Sequence, residues 1–295
     1  MSEKHWYDRS YKILLLIPLI LLVISLFYLY NFQQQNGDVI YKDVTLTGGT
    51  TVTVFDESID INEIHSALDS KFPDMHLRAV SDFSSGSQKG FILETQATVE
   101  EVRPALEEFL GYKLTQENSS IEFSGSTLSE GFYKQLRFAI FLAFIFMAIV
   151  VFLIFRTFIP STAVVLAAFS DIVMTLVVVN YMKMPLSTAG VVAFLLLIGY
   201  SVDTDILLTT RVIKKKEGEI NDRLFGALKT GFMMTLTSII AVLVSLFIVH
   251  KTSEVLRQMF TILLIGLSFD LFNTWFANAS IIKWYAERKE NGGKK

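Results

Sequence analysis

Asp171, Asp203, Asp205 and Asp270 each lie inside a long apolar run. A charged side chain at bilayer depth costs about 2.5–3.5 kcal/mol on insertion scales, so acids kept there mark ion or proton pathways. No Lys or Arg accompanies these aspartates at comparable depth. Burial away from any cation disfavours the charged form of a carboxyl. An acid that gains and loses a proton within lipid is what a proton relay requires. The neighbours suit bundle-facing positions. Ser201 and Thr209 lie four residues either side of Asp205, on one helix face. Asp203 is about 200° round the helix from Asp205. Gly266 precedes Asp270 by a turn, and Asn273 and Thr274 follow it. Thr230, Thr235, Thr237 and Ser238 bring hydroxyls from the preceding apolar run. A second reading stays open, in which the acids only join helices through hydrogen bonds to Ser, Thr and Asn. For Asp205 there is also a hydrated position beside Arg211 at the inner interface.

Other chemistry is sparse. No Gly-Lys-Ser/Thr phosphate loop, Gly-x-Ser-x-Gly elbow or His-Glu-x-x-His zinc motif occurs, and His5, His65, His76 and His250 are scattered. With 0 Cys, thiol chemistry, Cys-ligated metal and disulfides are excluded. The expectation is a non-enzyme without cofactor or metal. A net charge of −3 argues against nucleic acid as a partner.

The elements that must position the acids are membrane helices. The chain has 295 residues, only 19% of them charged against about a quarter in soluble domains, and a mean hydropathy of +0.46. A first apolar run, Ile13 to Tyr30, follows Lys4, Arg9 and Lys12 and leaves through bulky aromatics, as an uncleaved signal anchor does. Pro18 lies inside it. Further runs cover Leu136–Phe155, Ile159–Tyr181, Leu186–Thr210, Gly231–Val249 and Met259–Trp284, each long enough to span. Lys and Arg concentrate on one side, including Arg156, Arg211, Lys214, Lys215, Lys216, Arg223, Lys229 and Lys283. Lys183, Lys251 and Arg257 fall on the other, so both termini are expected in the cytoplasm.

The segment between the first two runs then lies outside. Strands are expected over Thr50–Phe55, His76–Phe83, Gly90–Thr95 and Ser120–Phe123, and helices over Ile61–Phe72 and Val99–Leu110. Asp60 caps the first helix, and Thr98 with Glu101 forms a capping box on the second. A polar turn, Ser84 to Ser87, joins the middle strands. The order β-α-β-β-α-β is the ferredoxin-like plan. The Gly48-Gly49 pair permits a tight turn into this domain, and Asn118-Ser119-Ser120 is a glycosylation sequon. The expected division is 1–30 for the cytoplasmic N-terminus and first helix, then 31–135 for the extracytoplasmic domain. A five-helix bundle takes 136–285 and a cytoplasmic tail 286–295.

Ile198-Gly199-Tyr200-Ser201-Val202-Asp203-Thr204-Asp205-Ile206, followed by Arg211, resembles the fourth-helix signature of the SecF branch of the SecD–SecF family. Leu46-Thr47-Gly48-Gly49-Thr50 is similar to that family's Gly-Gly-Thr segment. Asp270-Leu271-Phe272-Asn273-Thr274-Trp275 with Asn278 resembles the sixth helix of its archaeal branch. The resemblance covers nearly the whole chain and implies half of an RND-type transporter. The implied role is an accessory subunit of the Sec machinery that promotes export or membrane insertion, driven by the proton gradient. Its implied partners are a separate SecD chain, the Sec channel, exported polypeptides and lipid, in the cell membrane. Bacterial members carry Asp where this chain has Thr45, and place an Arg near Lys229. The resemblance leaves open whether their fourth-helix Asp aligns with Thr204, Asp203 or Asp205. The polar network expected from both lines of argument is Asp203, Asp205, Asp171, Asp270, Ser201, Thr204 and Asn273, with Lys229 or Arg211 as basic partner. A stand-alone RND exporter and a non-transporting translocon scaffold are the competing readings.

Overall fold

The structure, a computed structural model, describes residues 6–81, 87–214, 218–249 and 253–292. The turn expected at 84–87 lies outside the described residues apart from Ser87. So do Lys4, His5, Phe83, Lys215, Lys216, His250, Lys251, Lys294 and Lys295.

Helix α1 (Trp6–Asn36) continues through Pro18 and past Tyr30. Polar Gln33 to Asn36 do not end it, because nothing there breaks backbone hydrogen bonding. Gly37 does, at φ 75°, with its N–H on the Gln33 carbonyl at 2.9 Å. A short turn, α2 (Val44–Thr47), leads into the sheet domain. That domain runs β1 (Gly49–Val54), α3 (Ile61–Leu68), β2 (His76–Ser81), β3 (Gln88–Thr95), α4 (Val99–Leu110) and β4 (Ser119–Ser124). The sheet order is β4-β1-β3-β2, antiparallel throughout, as the ferredoxin-like plan requires. Val52 stands opposite Leu93 and Ile121, so its face is fixed from both sides. Val52, Val54, Phe91 and Leu93 pack under Ile64, Leu68, Val102 and Leu106 in one buried core. The caps form as expected. The Asp60 carboxylate accepts from the Asn62 N–H at 2.8 Å, and the Thr98 N–H donates to Glu101 at 3.0 Å. The amide of Asn118 closes its own turn, donating to the Lys113 carbonyl at 3.0 Å.

Gly48 and Gly49 make the entry to this sheet. Both have positive φ, 85° and 145°. A Cβ at Gly49 would sit 2.2 Å from the Thr95 carbonyl oxygen, on the paired strand. Gly49→Ala is therefore expected to destabilise the protein by at least about 2 kcal/mol. Gly111 shares the sign of φ but has open space around it, so Gly111→Ala costs about 1 kcal/mol. Unfolding of the two variants followed by circular dichroism checks the difference; equal losses would rule out the backbone clash.

Among the described residues, six helices are long and apolar enough to cross a membrane. After α1 come α5 (Ser126–Phe155), α6 (Phe158–Tyr181), α7 (Thr188–Ile213) and α8 (Ile220–Val249). The last span is one continuous rod: α9 (Glu254–Asn273), a wider π-helical turn (Thr274–Asn278) and α10 (Ala279–Gly292). Helices α5 and α8 begin well before their apolar runs, at Ser126 and Ile220, because their first turns are polar but unbroken. Arg156, in the left-handed region at φ 52°, makes the sharp reversal between α5 and α6. Helices α6 and α7 are the central pair, while α5 and α8 leave most of their apolar surface uncovered. Leu22 and Leu29 seat α1 on Val173 and Met174 of α6.

The linker from α1 to the sheet is tied to the bundle. The Leu186 N–H donates to the Tyr41 carbonyl at 2.7 Å, and Asp43 N–H to the Leu186 carbonyl at 3.1 Å. Asp38 accepts from the Tyr133 hydroxyl at 3.0 Å and pairs with Lys42 at 2.8 Å. Burial pushes the Asp38 carboxyl up, but bonds from Lys42, the Val39 N–H and Tyr133 outweigh it and hold it below the usual carboxylate range.

Candidate intramembrane polar site

Asp171, Asp205 and Asp270 come from α6, α7 and α9, and all three are fully buried. Each is held by hydroxyls and amides. Asp171 accepts from Ser201 Oγ at 2.6 Å and from Asn273 Nδ2 at 2.6 Å. Asp205 Oδ1 accepts from Asn278 Nδ2 at 2.6 Å and from Thr274 Oγ1 at 3.0 Å. Asp270 lies 3.4 Å from Thr274 Oγ1 and 3.4 Å from Thr235 Oγ1 of α8. The sixth span is the hub: Asp270, Asn273, Thr274 and Asn278 form one stripe that reaches both other acids.

Thr274 has a single hydroxyl proton and faces a carboxyl on either side. It donates to one oxygen at a time. Both contacts are satisfied together only when one of the two acids carries a proton and donates it to Oγ1. The hydroxyl thus links the proton count of Asp205 and Asp270 to the spacing of α7 and the sixth span.

The other expected members lie elsewhere. Asp203 is exposed on the surface of α7, in line with Gly199 and Tyr200, and takes no part in the network. Packing of the opposite face against α6 and α9 turns it outward. Thr204 is buried, but its hydroxyl returns to the Tyr200 carbonyl at 3.5 Å and its methyl faces Gly231 of α8. Arg211 does not hydrate or neutralise Asp205. Its guanidinium donates to the Gly226 carbonyl at 3.1 Å and Thr230 Oγ1 at 2.8 Å. Lys229 is exposed on α8. Thr237 and Ser238 bond to carbonyls of their own helix.

One buried cation does exist, further along the sixth span. Lys283 is fully buried and donates to Asp8 of α1 and Asn221 of α8, with Glu287 at 3.8 Å. The rings of Tyr7 and Tyr11 lie 5.1 and 5.4 Å from its ammonium. The Tyr7 hydroxyl also reaches Ser280 Oγ at 3.3 Å and the Trp275 carbonyl in the π turn at 3.4 Å. Sequence reasoning counted Lys283 only as a topology charge. The available signal was Asp8, a lone acid at the start of the first apolar run.

Residues 106–288 match the family model described as "Protein export membrane protein SecD/SecF, C-terminal". A protein-export membrane protein SecF from Methanocaldococcus jannaschii is 36% identical over 283 residues, 94% of this chain and 96% of that one. The SecF from Methanothermobacter thermautotrophicus is 37% identical over 284 residues, 95% and 94% of the two chains. The crystal structure of SecDF, a translocon-associated membrane protein from Thermus thermophilus, shares the fold at a TM-score of 0.74 and 16% identity. That match takes in 97% of this chain and only 39% of the SecDF chain.

Proposed function

The chain belongs to the SecD/SecF family of protein-export membrane proteins, and we propose that it is the SecF-type subunit of the Sec machinery, an accessory that works with a SecD subunit to promote export or membrane insertion. The observation that carries the reading is the buried network of Asp171, Asp205 and Asp270 across three helices, with Thr274 shared between two acids. A change in its proton count alters the bonds between α7 and the sixth span. Rocking of one packed element against another around a fixed midplane site is how many transporters use such a change. The proton gradient across the cell membrane supplies the energy. The Lys and Arg distribution supports cytoplasmic termini, which puts the sheet domain outside and gives the rocking motion a lever there.

The SecD subunit covers the face of α7 that carries Asp203. An acid at this depth facing lipid costs about 2.5–3.5 kcal/mol, and a partner helix bearing a hydrogen-bond donor offsets that cost. Gly199 lies on the same stripe with nothing within 4 Å of a would-be Cβ, so a second backbone can approach closely. A Gly199→Cys variant is expected to form a disulfide with a cysteine in a SecD transmembrane helix, in membranes under mild oxidation. A Cys at Phe146, on the uncovered side of α5, serves as the control and does not cross-link. Failure of SecD to co-purify, with no cross-link from Gly199→Cys, would overturn the assignment of this face.

A further inference from the structure

We propose that the slot between α5, α6, α7 and the linker to the sheet domain holds a phospholipid with a net negative headgroup. The phosphate sits on Arg137, and the upper part of one acyl chain fills the slot.

The slot has a volume of about 170 Å³. Its floor is buried and apolar, made by Ile40 of the linker, Leu186 just before α7 and Phe194 within α7. Its rim, Leu136 and Ile140 of α5 with Leu176 of α6, is only half-buried, so the slot opens toward hydrocarbon. Arg137 stands where the apolar run of α5 begins, at the membrane surface on the sheet-domain side. Tyr133, Leu136, Arg137 and Ile140 share one stripe of that helix, which places a headgroup site directly beside the mouth of the slot.

Water does not suit this space. The Tyr133 hydroxyl is committed to Asp38 at 3.0 Å, and the remaining side chains of the lining, Arg137 apart, are hydrocarbon. A buried water needs about two to four polar partners, whereas an apolar cavity takes an apolar guest. A membrane helix, at about 10 Å across, is too wide to enter. A single hydrocarbon chain is not.

Charge complementarity names the headgroup. The Arg137 guanidinium lies 5.6 Å from the Tyr133 ring, and the Lys42 ammonium lies 4.8 Å from the same ring. Lys42 is paired with Asp38 at 2.8 Å, and the neighbouring Lys134 with Glu130 at 2.8 Å. Among the described residues, Arg137 alone of these three cations has no acid beside it. An arginine fork binds phosphate oxygens in pairs. A choline or ethanolamine head would bring a fourth positive charge into the same place, which favours a net negative head. The guest also braces the linker. Ile40 lines the slot, while the adjacent Tyr41 and Asp43 are bonded to Leu186. A filled slot therefore holds the linker against the start of α7.

The test uses the full-length protein in neutral detergent, titrated separately with phosphatidylglycerol, phosphatidylcholine and inorganic phosphate. Binding is followed by melting temperature and by native mass spectrometry. Phosphatidylglycerol should bind saturably and raise the melting temperature, with the other two at least about tenfold weaker. Arg137→Gln, at an exposed position, should lose at least about tenfold in affinity for phosphatidylglycerol. Ile140→Trp, on the half-buried rim, closes the slot while leaving Arg137 in place, and should lower the affinity to that of inorganic phosphate. Lys134→Gln removes an equally exposed cation from the same helix and should change affinity by less than about twofold. Equal affinity for the two phospholipids, or undiminished binding by Arg137→Gln, overturns the proposal. Tight binding of inorganic phosphate alone, unaffected by Ile140→Trp, overturns it in favour of a free anion. Binding by the isolated chain that disappears once SecD is added overturns it in favour of a partner side chain.

Discussion

Asp205→Asn lowers the rate of precursor export by at least about tenfold, equivalent to about 1.4 kcal/mol. Asn keeps the shape of the side chain and an oxygen that accepts from Thr274 and Asn278, so the helices remain joined. What it removes is the exchangeable carboxyl proton and the negative charge. The change in stability should stay below about 1 kcal/mol, which separates lost function from lost folding. Asp203→Asn is the control, since Asp203 lies on the opposite side of α7 from the network. Its export should remain within about twofold of wild type. Pulse-chase labelling of a secreted precursor, in cells that depend on this protein, gives the rate. Normal export by Asp171→Asn, Asp205→Asn and Asp270→Asn alike would leave only the scaffold reading, in which these acids hold helices together and nothing more.

The second large effect concerns Lys283. Removing one member of a buried ion pair leaves the other uncompensated and costs about 3–5 kcal/mol. Lys283→Ala strips Asp8 of its cation and takes away the group on which Tyr7, Tyr11 and Asn221 converge. The expected result is a large fall in melting temperature, together with loosening of the N-terminal end of α1. Protease cleavage within the first turns of α1 should then appear in the folded variant. Combining Lys283→Met with Asp8→Asn replaces both charges, and most of the loss should return. A double-mutant cycle that proved additive would show that the two side chains do not depend on each other.

The sheet domain was legible because its sequence obeys two independent periods. Val52 and Val54 alternate, Ile61, Ile64 and Leu68 repeat at helical spacing, and Asp60 and Thr98 mark where the second pattern begins. The membrane helices were legible from apolar length alone, but their ends were not. Polar first turns at Ser126 and Ile220 are still helical, since hydrogen bonding rather than polarity decides where a helix stops. Depth in the membrane likewise picked out the acids, whereas facing did not follow. Asp203 and Asp205 are equivalent by composition, and only the packing of α7 between α6 and α9 sends one inward and the other out. Lys283 was misjudged for a related reason. Side-of-membrane counting treats every Lys as solvated, yet this one has Asp8, from the opposite end of the sequence, folded over it. Asn278 entered only through the family resemblance and was left out of the expected network, because nothing in its neighbours' types announces the widened turn that aims it at Asp205.

That widened turn divides the last span into two segments with different angular phase. In an uninterrupted α-helix, eight residues would leave Asn278 about 80° around the axis from Asp270. A π turn takes up one extra residue, which rotates everything beyond it backwards by up to about 100°. Asn278 is thereby swung onto the Asp270 column, and Lys283 is carried with it toward α1. The rod is geared: if the extra residue migrates one position along the backbone, the distal part turns about the axis while its length scarcely changes. Torsion of a single helix can thus transmit a midplane event to the cluster around Tyr7 and Asp8.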